Sequence, residues 1–189
     1  MQQLPLPTPN LTAHLSLEVL TRHFADLPPA PRDHGKVTLL LARAVDSSRT
    51  LYDRVVLTSE GGMPGDRWSD KTPIKPNAQL AVMSHRVATL IGNGQPLALF
   101  GDNLAIDLDL STASLPIGSR VRIGEALLEV TPMPHNGCSK YAARFGMDAL
   151  KFISAPDQKP LRLRGLYLRV IETGVVWLGA DVVVCSRPQ

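Results

Sequence analysis

Apolar positions along this chain follow two different rhythms. Between Leu11 and Asp26, Leu11, Leu15, Val19 and Leu20 fall at helical spacing, with Thr12 placed to cap the segment. The run Leu27-Pro28-Pro29-Ala30-Pro31 then ends it, because proline can neither donate to the helical ladder nor fit inside it. The first ten residues are rich in proline and read as irregular. After residue 34 the pattern changes to short apolar runs broken by polar turns. Lys36–Val45 and Leu51–Ser59 read as strands, separated by Asp46-Ser47-Ser48. A glycine-rich loop, Glu60–Asp70, follows. Gln79–Ser84 reads as a strand, His85–Ile91 as a short helix stopping near Gly92, and Asn103–Asp109 as extended chain.

The clearest local signal is a hairpin. Ser119–Ile123 alternates outward Arg120 and Arg122 with inward Val121 and Ile123; Gly124-Glu125 makes a two-residue turn, and Ala126–Thr131 returns. Cys138–Phe145 and Asp148–Ile153 read as short helices, the first closed by Gly146. Gly165–Glu172, Val175–Trp177 and Asp181–Cys185 return to strand. Ile117–Val121 and Leu178–Val182 each place a glycine turn ahead of a valine-rich strand, which suggests two strands entering a sheet at similar corners. Many short strands between glycine and proline turns predict a mainly β protein with short helices (α+β), built as a barrel or sandwich. The expected division is residues 1–34 as an N-terminal extension with one helix and residues 35–189 as the β domain. Strands and long helices do not alternate regularly, and neither GxGxxG nor GxxxxGK[ST] occurs, so a nucleotide-binding parallel sheet is not expected.

Composition narrows the class. With 189 residues, 44% hydrophobic and 20% charged, the chain can bury a core without help from disulfides or metal. No apolar run approaches the roughly 20 residues needed to cross a bilayer, and the N-terminus has no basic n-region or apolar h-region. A cytoplasmic protein with no membrane partner is expected. The net charge of +3 is a small difference between 20 basic and 17 acidic residues and does not predict a nucleic-acid partner. One local bias stands out: Lys140, Arg144, Lys151, Lys159, Arg162, Arg164 and Arg169 face only Asp148 and Asp157 in the same stretch. It reads equally as a solvated basic face or an anion site.

The two cysteines, Cys138 and Cys185, lie in no CxxC pair, and the five histidines show no zinc-ligand spacing. Cys138 follows a glycine turn at the start of a helix, near His135, Lys140 and Arg144, where positive charge would favour the thiolate. It also shares a helical face with Tyr141, Ala142 and Phe145, so a buried core thiol is the competing reading. Cys185 reads as a small apolar strand residue. In Gly61–Trp68 (GGMPGDRW), Gly61, Gly62 and Gly65 permit positive φ and close approach to a ligand, while Asp66 and Arg67 offer an acceptor and an anion-binding fork. An ordinary surface loop is the alternative. Phe100–Asp107 (FGDNLAID) presents Asp102 and Asn103 at a turn. A cysteine hydrolase pairing Cys138 with His135 is a further alternative, although residues three apart around a glycine turn rarely align as nucleophile and base.

In order and spacing, GGMPGDRW, the block FGDNLAIDLDLSTASLPIGSRVRIGEALLEVT (100–131), PHNGCSKYAARFG (134–146) and RGLYLRVIETGVVWLGADVVV (164–184) resemble the MOSC domain family, in its stand-alone bacterial form. Trp68 stands where many members carry histidine, and Asp102 where glutamate is commoner. The resemblance covers roughly Gly35 to Val184. It implies a MOSC-like β-barrel with an N-terminal helical extension and with the cysteine at the mouth of a cleft. It also implies binding of molybdenum cofactor, with Cys138 as the molybdenum ligand, or transport of sulfur as a Cys138 persulfide, in sulfur transfer or in reduction of N-hydroxylated compounds. The implied partners are a small-molecule cofactor or sulfur donor, a cysteine desulfurase or a redox protein. The chain is too short for the pyridoxal-phosphate domain of cofactor sulfurases, so no pyridoxal phosphate is expected on it. The expected site is Cys138 and His135 for chemistry, with Gly65, Asp66, Arg67, Asp102, Asn103, Lys140, Arg144 and Arg164 binding the cofactor. The competing function is a non-catalytic module that binds a small anion or a partner and keeps Cys138 buried.

Overall fold

The computed structural model describes residues 1–188. Its strands are β1 (Gln2–Leu4), β2 (His34–Arg43), β3 (Arg49–Leu51), β4 (Arg54–Leu57), β5 (Leu80–Ser84), β6 (Leu104–Ile106), β7 (Arg120–Ile123), β8 (Ala126–Val130), β9 (Leu166–Glu172), β10 (Gly174–Trp177) and β11 (Asp181–Ser186). The α-helices are α1 (Leu17–Ala25), α2 (His85–Gly92), α3 (Ser139–Phe145) and α4 (Met147–Ser154). Seven strands run in the order β2-β11-β7-β8-β9-β5-β6, and β6 pairs back onto β2, closing a mixed barrel in which only β5 and β6 are parallel. Closure leaves no open edge in the ring. β3 extends β2 at one end and β1 extends β3, while β4 and β10 form a separate antiparallel pair.

Alternation along the strands fills the barrel. Val121, Ile123, Leu128 and Val130 of the β7–β8 hairpin are buried in one cluster with Val37, Leu40, Leu80, Val82, Leu104, Leu168 and Val182. The similar glycine corners before β7 and β11 belong to adjacent barrel strands. A second cluster lies between the barrel wall and the helices, where Leu20, Val87, Ile91, Phe100, Tyr141, Phe145 and Phe152 pack on Met83 and Ala105. β5 and β6 therefore carry apolar side chains on both faces, as a covered strand must.

Several elements differ from the sequence reading. The helix expected over Leu11–Asp26 begins only at Leu17, because the Ser16 hydroxyl accepts the Val19 N–H, while Asn10 rather than Thr12 caps a separate 3-10 turn at Leu11–Ala13. The proline-rich first residues are not wholly irregular: Gln2–Leu4 pairs with β3. The strand expected over Leu51–Ser59 is broken between β3 and β4, which pair with different partners. Asn103–Asp109 is strand only at Leu104–Ile106. α1 is fastened to the helical layer by Phe24 edge-on to Phe152, with ring centroids 5.6 Å apart, and by the Asp148 carboxylate, which accepts the Leu17 N–H.

Candidate functional site

Two buried ion pairs organise the region where β2, β6, β9 and α3 meet. Asp66, 2% exposed, accepts from the Arg43 guanidinium at both oxygens, each 2.9 Å away, and also from the Arg43 and Trp68 backbone N–H groups. Burial alone would raise the Asp66 carboxyl, but Arg43 overcomes it and holds the group below the usual carboxylate range. Asn103, fully buried, donates to Asp66 and to the Leu41 carbonyl and accepts from Arg43 and the Ala81 N–H. This network ties the Gly61–Trp68 loop to β2, β5 and the start of β6. The second pair is Arg164 on Asp102: Nη1 lies 2.9 Å from both carboxylate oxygens, and the guanidinium sits 5.3 Å from the Tyr141 ring centre. Asp102 is fully buried.

These contacts correct part of the sequence reading. Asp66, Asp102 and Asn103 do not line the cavity around Cys138; their acceptors are taken up by Arg43, Arg164 and backbone amides, because a buried carboxylate without such partners would be too costly. Gly65 lies on the exposed outer side of its loop, with φ +71° and Tyr52 Oη 3.5 Å from where a Cβ would stand.

The residues that do share a cavity are Arg43, Arg49, Arg67, His135, Cys138, Lys140, Arg144 and Arg164, with Ser47, Gly101, Tyr141 and Tyr167, around a volume of about 200 Å³. Arg67, Lys140 and Arg144, far apart or merely adjacent in sequence, are thus brought to one wall with the cysteine. Arg43 and Arg164 are neutralised by their aspartates. Arg49, Arg67, Lys140 and Arg144 have no carboxylate partner among the described residues. Arg49 is 2% exposed and donates only to the Ala98, Ser47 and Ser48 carbonyls. Burial, then Arg144, Arg43 and Arg67, push its guanidinium down to about 10, which still leaves it cationic near neutrality. Sequence reasoning missed Arg43 and Arg49. The available signal was an arginine ending the apolar run Thr38–Ala42, with a second six residues later across a turn.

Cys138 is exposed and is not part of the apolar face of α3, so the buried-thiol alternative does not hold. Tyr141 and Phe145 fill that face, packing on Phe100. Cys138 precedes α3, its carbonyl accepting the Tyr141 and Ala142 N–H groups. Cys185, read as a small apolar strand residue, does lie in β11, near its end, and is exposed as well.

His135 is held differently from a catalytic base. Its side chain is 7% exposed, its ring centre lies 4.5 Å from that of Tyr167, and Nε2 stands 3.5 Å from Asp102 Oδ1. Burial, reinforced by Arg164, pushes it down to about 3, so it is neutral at physiological pH. Nδ1 is buried without a partner. A buried imidazole that faces an aspartate already paired with Arg164 does not favour a Cys138–His135 hydrolase.

No group of three or more His, Cys, Asp or Glu that would hold a bare metal ion occurs among the described residues. The site instead offers one exposed soft sulfur in a cavity lined by cationic side chains. That set fits a phosphate-bearing molybdenum cofactor, which brings its other metal ligands with it.

Comparison with known proteins identifies the fold and the family. Among solved structures, the chain is similar to the YUAD protein of Bacillus subtilis (18% identity, 82% of this chain and 97% of that one, TM-score 0.60). It is also similar to YiiM of Escherichia coli (21% identity, 82% and 71%, TM-score 0.55) and to YiiM of Geobacillus stearothermophilus (20% identity, 84% and 76%, TM-score 0.53). At these identities the likeness is one of fold. No curated protein sequence matches the chain. The family model for the MOSC domain matches residues 70–183, a span that includes Cys138 and Arg164 while Arg43, Arg49 and Arg67 come to the same cavity from before it. With this match over more than half of its length, on a closed mixed barrel, the chain belongs to the MOSC domain family.

Proposed function

We propose that this MOSC protein binds molybdenum cofactor, or carries sulfur, at Cys138. The observation that supports the reading is the exposed thiol sharing one cavity with four cations that lack acidic partners. Arg49, Arg67, Lys140 and Arg144 would take the cofactor phosphate, and Cys138 would supply a thiolate ligand. Bound cofactor would supply molybdenum redox chemistry, such as reduction of an N-hydroxylated compound. In the sulfur-carrying form, the Cys138 thiolate attacks the outer sulfur of a donor persulfide, the donor S–S bond breaks, and the donor leaves as thiolate. The cations hold negative charge on either species. The Asp102–Arg164 pair and His135 position the segment before Cys138. A cysteine desulfurase or a redox protein is the partner this chemistry needs. Two unpaired exposed thiols suit a reducing cytoplasm.

Native mass spectrometry and metal analysis on protein from cells that make molybdenum cofactor test the reading. The expected result is bound cofactor with molybdenum, or one extra sulfur atom on Cys138, and loss of either in Cys138→Ala. Folded wild-type protein carrying neither would overturn it.

A further inference from the structure

A second, larger cavity of about 460 Å³ lies on the other side of the cysteine segment. It shares His135, Asn136 and Arg164 with the cysteine cavity, so the two adjoin across the same short loop. Its size is that of a small-molecule site. Its walls differ in kind from the arginine-rich cavity. Pro132, Met133, Ile153 and Leu163 give it apolar surfaces, supplied by the loop after β8, by α4 and by the turn before β9. Its charge comes from Lys159 and Arg162, and no aspartate or glutamate lines it. Neither cation has an acidic partner among the described residues, and Arg162 donates only to the Leu110 and Leu115 carbonyls. Arg164 is already neutralised by Asp102.

We propose that this cavity binds a small organic anion with a flat apolar body, an aryl carboxylate being the simplest case. The apolar walls would take the ring, and Lys159 and Arg162 the carboxylate. Charge complementarity selects the anion: a neutral ring gains the burial but leaves both cations unanswered, and a cation is repelled. Through the shared loop such a ligand is set beside Cys138, so the cavity is the substrate side of the site. That last role rests on the proposed Cys138 chemistry; the binding itself does not.

Saturation-transfer NMR on the full chain, with 2-naphthoate and 2-naphthamide as probes, tests this. Naphthoate should bind at least about tenfold more tightly than the amide. Met133→Trp, which fills the cavity from a surface loop, and Lys159→Glu should each weaken naphthoate about tenfold with unchanged circular dichroism. Excess inorganic phosphate should not displace it. Equal affinity for acid and amide, displacement by phosphate, or indifference to Met133→Trp would overturn the proposal. Cys138→Ala should bind naphthoate as the wild type does. A protein that binds naphthoate yet never loads cofactor or sulfur would count against the Cys138 reading alone. Loading without naphthoate binding would count against this one.

Discussion

At Cys138 the surrounding charge, rather than burial, distinguishes one exposed thiol from the other. Four unneutralised cations share its cavity, whereas Cys185 lies at the end of β11. Alkylation should therefore discriminate by reagent charge. The rate with anionic iodoacetate relative to neutral iodoacetamide should be several-fold higher at Cys138 than at Cys185, and Arg144→Gln should narrow the gap. Equal ratios by peptide mass mapping would mean that the cations do not act on the sulfur. His135 makes a pH prediction. Folding lowers it from 6.5 to about 3, so between those values the unfolded chain binds the extra proton. Stability should thus fall as pH drops through that window, with a limiting slope of about 1.4 kcal/mol per pH unit from this residue. In urea titrations from pH 7 to 4, His135→Gln should lose less stability than the wild type. Parallel losses would show that His135 protonates freely in the fold.

Among the elements, the segments that build the cavity are irregular but firmly anchored. Phe100 stacks on Phe145 with ring centres 3.9 Å apart, and its carbonyl accepts from Arg144, so the Gly101–Asn103 turn is tied to α3. Asp66→Ala would leave Arg43 without its carboxylate and should cost about 3 kcal/mol. Detaching the loop should also displace Arg67. Two glycines in these connections should respond unequally. Gly165 has φ +99°, and an added Cβ would stand 2.0 Å from the Val82 carbonyl oxygen, so Gly165→Ala should cost on the order of 3 kcal/mol. Gly65 also has positive φ, but an added Cβ would meet only Tyr52 Oη at an ordinary contact distance of 3.5 Å, so Gly65→Ala should cost about 1 kcal/mol. Comparable denaturant midpoints for the two variants would contradict the close approach of β5 to the start of β9.

For the whole molecule, the concentration of like charge at one place is a stability cost that a bound anion should relieve. Sulfate or phosphate should raise the Tm at constant ionic strength, following ligand linkage. Arg67→Gln and Arg144→Gln should shrink that rise, and Arg67→Gln should leave the Tm in chloride equal or higher. A rise that both variants keep would place the anion elsewhere. The barrel should respond in the opposite sense: Val121→Asp buries a charge inside the ring and should unfold the chain with or without anion.

Local pattern by itself determined the strands of the ring and its hairpin. Val121 and Ile123 alternate with Arg120 and Arg122, a two-residue turn follows, and such signals are complete within a few residues of chain. It also marked Cys138, Arg67 and the basic stretch as chemically unusual, since those types stand out without any partner in view. Only the tertiary structure decided which polar residues line the cavity. Asp66, Asp102 and Asn103 look like site residues in sequence but turn inward, because each meets an arginine or a backbone amide brought from another strand. Arg49, which has no distinguishing mark in sequence beside its turn, becomes a buried cation in the Cys138 cavity, since β3 carries it under the Ala98 carbonyl. Much of the basic stretch divides between two cavities, with Lys140 and Arg144 on one side, Lys159 and Arg162 on the other, and Arg164 shared by both. Burial and charge pairing depend on residues dozens of positions apart, and closing the barrel is what brings them within reach of one another.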